Sequence, residues 1–179
     1  ILIKYINLWI APILTFTSEE IHKRMPESKE SIYLSSWFDL SINITNDEIE
    51  LFNKIYSIRS FVSKKIEDCR NSNEIGSSLE GRVDIICNKS LYKDIENLSD
   101  ELKFIFIVSE CHIQHKENED FDSTIDGYKF TVKVSKSLNS KCERCWHLNE
   151  TVGKDDKHPS ICKRCIDNIS GSGEKRIFA

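Results

Sequence analysis

No segment of this sequence is apolar for long enough to cross a bilayer as a helix. The strongest candidate, ILIKYINLWIAPILTF at residues 1–16, is interrupted by Lys4, Asn7 and Pro12 and falls short of the roughly 20 apolar residues a span needs. Repeats and low-complexity tracts are also missing, which removes solenoids and extended arrays. There is no secretory signal, and seven cysteines are an odd number for a closed disulfide framework. Reduced thiols with a metal, in a reducing compartment, fit better. An excess of basic charge is lacking too. Residues 1–136 carry 17 Lys/Arg against 23 Asp/Glu, and residues 137–179 carry 8 against 6, so the net charges are −6 and +2. The acidic bulk excludes a whole-surface nucleic-acid binder and leaves only the tail compatible with phosphate.

The sequence is otherwise that of a soluble globular protein, 39% hydrophobic and 30% charged, with room for one ordinary domain or a domain with a small satellite. Its first residues start without Met inside a helix-like pattern, so we expect a core helix belonging to a longer chain, of which this is a fragment. Thr17 and Glu20 in TSEE have the spacing of a capping box opening a short helix that Pro26 stops. SIYLSSWF (31–38) reads as a short extended or irregular stretch. Thr45 and Glu48 in TNDE give a second capping box, followed by one apolar face through Ile49, Phe52, Ile55, Tyr56, Val62, Ile66 and Cys69. Lys54, Arg59, Lys64, Lys65 and Arg70 are that helix's cations, and NSNEIGSS breaks it.

After Gly81 the period changes. RVDIIC predicts a strand, SLYKDIENLSDEL a helix, KFIFIVSE (103–110) a second strand and GYKFTVKVSKS a half-exposed third, with the acidic KENEDFDSTID as a surface loop. A small α+β unit is expected.

Two CxxC pairs follow, Cys142/Cys145 and Cys162/Cys165, sixteen residues apart. Each pair can turn as a knuckle and bring two thiolates to one side. Four thiolates complete a tetrahedron with sulfur about 2.3 Å from the metal and leave no place for water. The metal is then structural. Zinc is the default, although a single iron suits the same geometry. The tail has almost no aliphatic core, so metal binding should supply folding free energy on the order of 10 kcal/mol. His147 and His158 are rival ligands with little claim beside four cysteines, and CHIQH (111–115) has nothing nearby to complete a site. Trp146, too large for a knuckle to bury, either seals the module against its neighbour or stands exposed beside Arg144 as a stacking platform for unpaired RNA bases. Lys141, Lys163, Arg164, Lys175 and Arg176 could contact phosphates or be solvated charges.

KCERCWH, HPSICKRC and the ending NISGSGEKRIFA together resemble the zinc module of bacterial isoleucyl-tRNA synthetase. APILTFTSEEIH resembles that family's anticodon-binding helices, SIYLSSW the segment after them and IGSSLEG the passage from bundle to junction, so the resemblance covers nearly the whole chain. Two departures stand out. Gly81 replaces a usual alanine, and NSN (71–73) a more basic stretch. The resemblance implies a multi-part α and α+β architecture: a helical anticodon-binding bundle over 1–80, a small α+β junction over 81–137 and a four-cysteine zinc ribbon over 138–179. It implies Cys142, Cys145, Cys162 and Cys165 as ligands of one structural Zn²⁺. Arg144 and Trp146 would then face the anticodon stem-loop of tRNA(Ile), supported by Lys141, Lys163, Arg164 and Arg176. A cytoplasmic, monomeric parent enzyme would join isoleucine to its tRNA with ATP and edit mischarged valine. These residues hold no HIGH motif and no editing pocket. The KMSKS-like KVSKS (133–137) alternates as a strand does, so it is read as a chance match. The expected role is binding without catalysis, with no membrane or DNA partner. Two other readings compete: the zinc-finger tail of a DNA-repair glycosylase, whose helix-two-turn-helix is not evident here, and a zinc clip for protein packing.

Overall fold

The computed structural model describes residues 2–26, 28, 30–37, 44–117 and 120–174. Among them no helix is long and apolar enough to cross a membrane. Two compact units are present, one up to residue 44 and one from Thr45 onward.

The first unit pairs helix α1 (Leu2–Ile10) with α2 (Thr15–Arg24). Its buried positions include polar ones. Asn7 donates to the Ser18 carbonyl at 3.0 Å, and Asn7, Ser18 and His22 are buried beside Ala11. Leu2, Ile3, Ile6, Trp9, Ile13 and Phe16 are exposed, so the expected core helix is present but keeps its apolar face outside this unit's core. The expected Thr17–Glu20 capping box does not form. A turn through residues 10–14 already carries the chain into α2, with Ser18 N–H donating to the Leu14 carbonyl at 2.9 Å. Thr17 therefore lies inside a helix that begins two residues earlier without a side-chain cap. The stop before Pro26 is observed: Met25 is extended (φ −80°, ψ 143°), the conformation a following proline imposes. SIYLSSWF contains a 3₁₀ turn, Ile32–Leu34, held where Glu19 Oε2 accepts from Ser31 Oγ at 3.0 Å and Ile32 N–H at 3.1 Å. Phe38 lies outside the described residues.

The second unit opens with α3 (Asn46–Asn71). Its capping box is as expected, Thr45 N–H donating to Glu48 Oε2 at 2.8 Å and Glu48 N–H to Thr45 Oγ1 at 3.3 Å. The buried stripe is narrower than the apolar pattern and differently phased. Ile55, Ile58, Val62 and Ile66 are covered, while Ile49, Phe52 and Tyr56 are exposed. The latter three recur at the same 3–4 spacing, but on a neighbouring stripe of the cylinder.

A four-stranded sheet follows in the order β2-β1-β4-β3, with β1 (Gly81–Cys87) parallel to β2 (Glu110–His115) and antiparallel to β4 (Tyr128–Lys136), which pairs with β3 (Ser123–Ile125). The connection from β1 to β2 contains α4 (Lys89–Ile95) and α5 (Leu102–Phe106). One core joins Ile55, Ile58, Val62 and Ile66 of α3 to Val83, Ile85, Phe130 and Val132 of the sheet and to Leu91, Ile95, Leu102 and Phe106 of the crossover. Phe61 meets the buried Phe130 edge-on, 5.5 Å between centroids. The opposite register rows are polar, Arg82 beside Glu110 and Ser135, Asp84 beside His112 and Lys133.

Two local readings change. KFIFIVSE is not a strand. Leu102 and Phe106 are four residues apart and both buried, as on one helical face, and the helix closes with Ile107 left-handed (φ 58°) and Val108 N–H returning to the Lys103 carbonyl at 2.9 Å. The strand begins only at Glu110, and CHIQH fills it to its last residue, His115, where the chain passes into a loop, as a strand-to-loop edge requires. The acidic loop contains the short β3. KVSKS lies largely within β4, Lys133 opposite Asp84 and Ser135 opposite Arg82, so it is a paired strand and not a mobile loop. Gly81 also has a local reason: a Cβ there would stand 3.0 Å from the Ser78 carbonyl oxygen.

Candidate metal centre and nucleic-acid interface

The cysteine module is built from short hydrogen-bonded turns. Lys141 and Leu148 form an antiparallel bridge, reinforced by Cys142 N–H to the His147 carbonyl and Asn149 N–H to the Ser140 carbonyl, both 2.9 Å. Inside this ribbon Trp146 N–H donates to the Cys142 carbonyl at 2.9 Å, and Trp146 itself is left-handed (φ 65°). The second pair is placed by a helix: Cys162 caps α6 (Lys163–Ser170) and Cys165 sits in its first turn. The positive end of a helix stabilises thiolate there. Glu143 N–H to the Ser160 carbonyl, 3.1 Å, ties the knuckles together.

The four sulfur atoms lie within 4.8 Å of one another. Cys142 to Cys165 and Cys145 to Cys162 are each 3.7 Å. A tetrahedron with metal–sulfur bonds of about 2.3 Å has edges of about 3.8 Å, so the two opposing edges fit a metal at the centre. Cys142, Cys162 and Cys165 are buried and Cys145 is partly so. Burial raises the Cys142 thiol, but hydrogen bonds from the Cys145, Cys162 and Arg144 backbones outweigh it and bring it down to about 6. Burial and the neighbouring Cys145 sulfur push Cys162 up to about 12. Such crowded thiols all ionise only with a cation among them, and the saturated soft set leaves no catalytic position. Among the described residues this is the one group of three or more such ligands close enough to hold a metal. His147 instead lies with Nδ1 3.1 Å from the Cys145 carbonyl oxygen and its ring against Phe104, centroids 5.8 Å apart.

Around this centre the expected RNA-facing residues part company. Trp146 is 62% exposed, with Lys141 Nζ 5.5 Å from its ring centroid. It does not seal the module. Arg144 is exposed beside it, and its guanidinium favours the Cys165 thiolate against the burial that raises that thiol. Lys163 is exposed at the start of α6. Arg164 faces inward: its guanidinium carbon lies 5.1 Å from the Phe104 centroid, and Nη1 is 3.6 Å from Glu174 Oε2. Lys175 and Arg176 lie outside the described residues.

The residues that fasten the module were not singled out by sequence. Buried Ser109 accepts the Leu148 N–H at 2.6 Å and donates to the Leu79 carbonyl. Glu110 accepts from Ser137 Oγ and, at 3.0 Å, from Asn139 Nδ2. Phe104 receives His147 and Arg164. Reading residues 103–110 as a strand hid all three.

The profile of the anticodon-binding domain of tRNA ligase matches residues 1–86, and that of the zinc finger found in FPG and IleRS matches residues 139–168. The isoleucine–tRNA ligase of Ruthia magnifica subsp. Calyptogena magnifica is 44% identical over 175 residues, 96% of this chain and 18% of that protein. The Halorhodospira halophila and Pseudomonas putida (strain W619) isoleucine–tRNA ligases are 34% and 37% identical over 178 residues, each covering 96% of this chain and 19% of theirs. The chain thus spans about a fifth of the length of these relatives. The finger profile alone leaves both FPG and IleRS open, and the anticodon-binding match and the relatives disfavour the glycosylase reading. The anticodon-binding and zinc-finger matches, in the order in which they occur here, and the similarity of nearly the whole chain to these relatives together support its reading as a part of an isoleucine–tRNA ligase.

Proposed function

We propose that this chain is the tRNA-engaging part of an isoleucine–tRNA ligase, supplying binding and positioning while the chemistry resides elsewhere in the enzyme. The observation that carries the reading is the exposed Trp146 ring beside the four-cysteine cluster, flanked by Arg144 and Lys141. An aromatic face beside a guanidinium fork holds an unpaired base, at about 1–3 kcal/mol per stack. Cys142, Cys145, Cys162 and Cys165 ligate one zinc ion, which supplies rigidity and no Lewis-acid step. The ligand is the anticodon stem-loop of tRNA(Ile). Lys141, Lys163 and Arg176 contact phosphate, and Arg164 contributes by holding the module. The functional division follows residues 1–80, 81–137 and 138–179 as anticodon-binding bundle, junction and zinc module. The whole enzyme, cytoplasmic and monomeric, activates isoleucine with ATP and removes mischarged valine.

The test is a filter-binding comparison at low salt of the zinc-loaded chain with tRNA(Ile) and an unrelated tRNA. Trp146→Ala should weaken tRNA(Ile) binding about 5- to 160-fold. Equal affinity for both tRNAs, or an unchanged affinity in the variant, rejects the reading.

A further inference from the structure

One aromatic side chain of the α+β unit meets residues from both cysteine knuckles. Phe104 stands on α5, a single short turn of helix fixed by buried Leu102 and Phe106 on its other side. Its ring takes the edge of His147 at 5.8 Å and the guanidinium of Arg164 at 5.1 Å. Those two partners flank the metal centre from both knuckles: His147 follows Trp146 directly, and Arg164 lies between Cys162 and Cys165. The Leu148 N–H to Ser109 bond and the Asn139 Nδ2 to Glu110 bond hold the ribbon and the segment leading into it, whereas Phe104 meets a residue of α6.

We propose that Phe104 is a positioning residue for tRNA recognition: by gripping His147 and Arg164 together it locks both cysteine knuckles onto the α+β unit and so fixes the direction in which Trp146 presents its ring. The proposal rests on the reading of Trp146 as the RNA platform. Its mechanism is preorganisation. Four thiolates make the module rigid within itself, but they do nothing to stop it from rocking on its neighbour. A ring that meets an imidazole in a T-shaped contact and a guanidinium at 5.1 Å resists that rocking, because both contacts weaken as the groups shift or separate. Ordering a freed segment on binding costs about 0.5–1.5 kcal/mol per immobilised side chain, so removing the grip should weaken binding about 2- to 12-fold without touching a base.

The experiment uses the full zinc-loaded chain in a Trp9→Phe, Trp37→Phe background, which leaves Trp146 as the single indole. Phe104→Leu keeps an apolar side chain on α5 and deletes the ring. Expected are one zinc per chain, faster nanosecond depolarisation of Trp146 fluorescence, and tRNA(Ile) affinity reduced about 2- to 12-fold. Phe104→Tyr should restore both, while Arg164→Lys, which keeps charge but not the plane, should fall between. Unchanged depolarisation in zinc-bound Phe104→Leu overturns the proposal, and so does loss of zinc, which would assign the ring to folding of the module. The two readings fail separately. If Trp146→Ala leaves affinity intact, the platform reading falls, and the depolarisation of Phe104→Leu still decides the anchoring role of the ring.

Discussion

Residues 83–87 and 128–134 bury Val83, Ile85, Phe130 and Val132 against the Ile55, Ile58, Val62 and Ile66 stripe of α3, whereas residues 141–170 fully bury only Leu148 and three cysteines. The first region is held by apolar area removed from water, worth about 25 cal/mol per Å². The second has too little such area, and its order comes from ligand bonds and turn hydrogen bonds. One compact unit thus contains two kinds of cohesion with different sensitivities to solvent.

Metal removal separates them most strongly. Chelation, or Cys142→Ser, should unfold residues 141–170 with a loss on the order of 10 kcal/mol, while amide protection at Val83 and Ile85 survives. A collapse of that protection would show that the sheet depends on the metal. Acid should act the same way more gradually. Protons compete with the ion for all four sulfurs, and burial that raises the Cys162 and Cys165 thiols makes their protons hard to displace, so the hold on the ion weakens as pH falls. Zinc release to a chelating dye should therefore rise on that descent; retention unchanged from about pH 8 to 5 contradicts it. Phe130→Ala attacks the other region, at about 3–5 kcal/mol, and should lower the urea midpoint while zinc stoichiometry stays at one. Smallest is Thr45→Ala, about 1 kcal/mol. The Thr45 N–H, which the variant keeps, is the main cause that holds the Glu48 carboxyl below its ordinary 4.5, and the hydroxyl that the variant loses adds to it, so the thermal midpoint gap should narrow without closing as pH falls below that value.

The same contrast governs what the residues disclosed in advance. The cysteine spacing is a direct statement of geometry, and the sulfurs lie where it requires. Thr45 and Glu48 were legible because a capping box needs only local atoms. TSEE has the same Thr and Glu three residues apart and forms no such box, because the turn after α1 had already started the helix. On α3 both apolar stripes have helical spacing, and only the position of the sheet selects the Ile55–Ile66 stripe over Ile49, Phe52 and Tyr56. At 103–110 the β-branched and aromatic run favours a strand by propensity, and burial of Leu102 with Phe106 overrides it. That misreading cost the most, since it concealed Phe104 and Ser109, the fastening of the candidate site. The exposure of Trp146 was also undecided until the neighbours competing to cover the module were known.

The left-handed backbone of Trp146 (φ 65°) carries one more consequence. A bulky residue tolerates this conformation at a penalty of about 1 kcal/mol or more, and glycine would not. Trp146→Gly should therefore relieve the backbone at the apex of the ribbon while removing its ring, so that this one change sets local backbone ease against the side chain the turn displays.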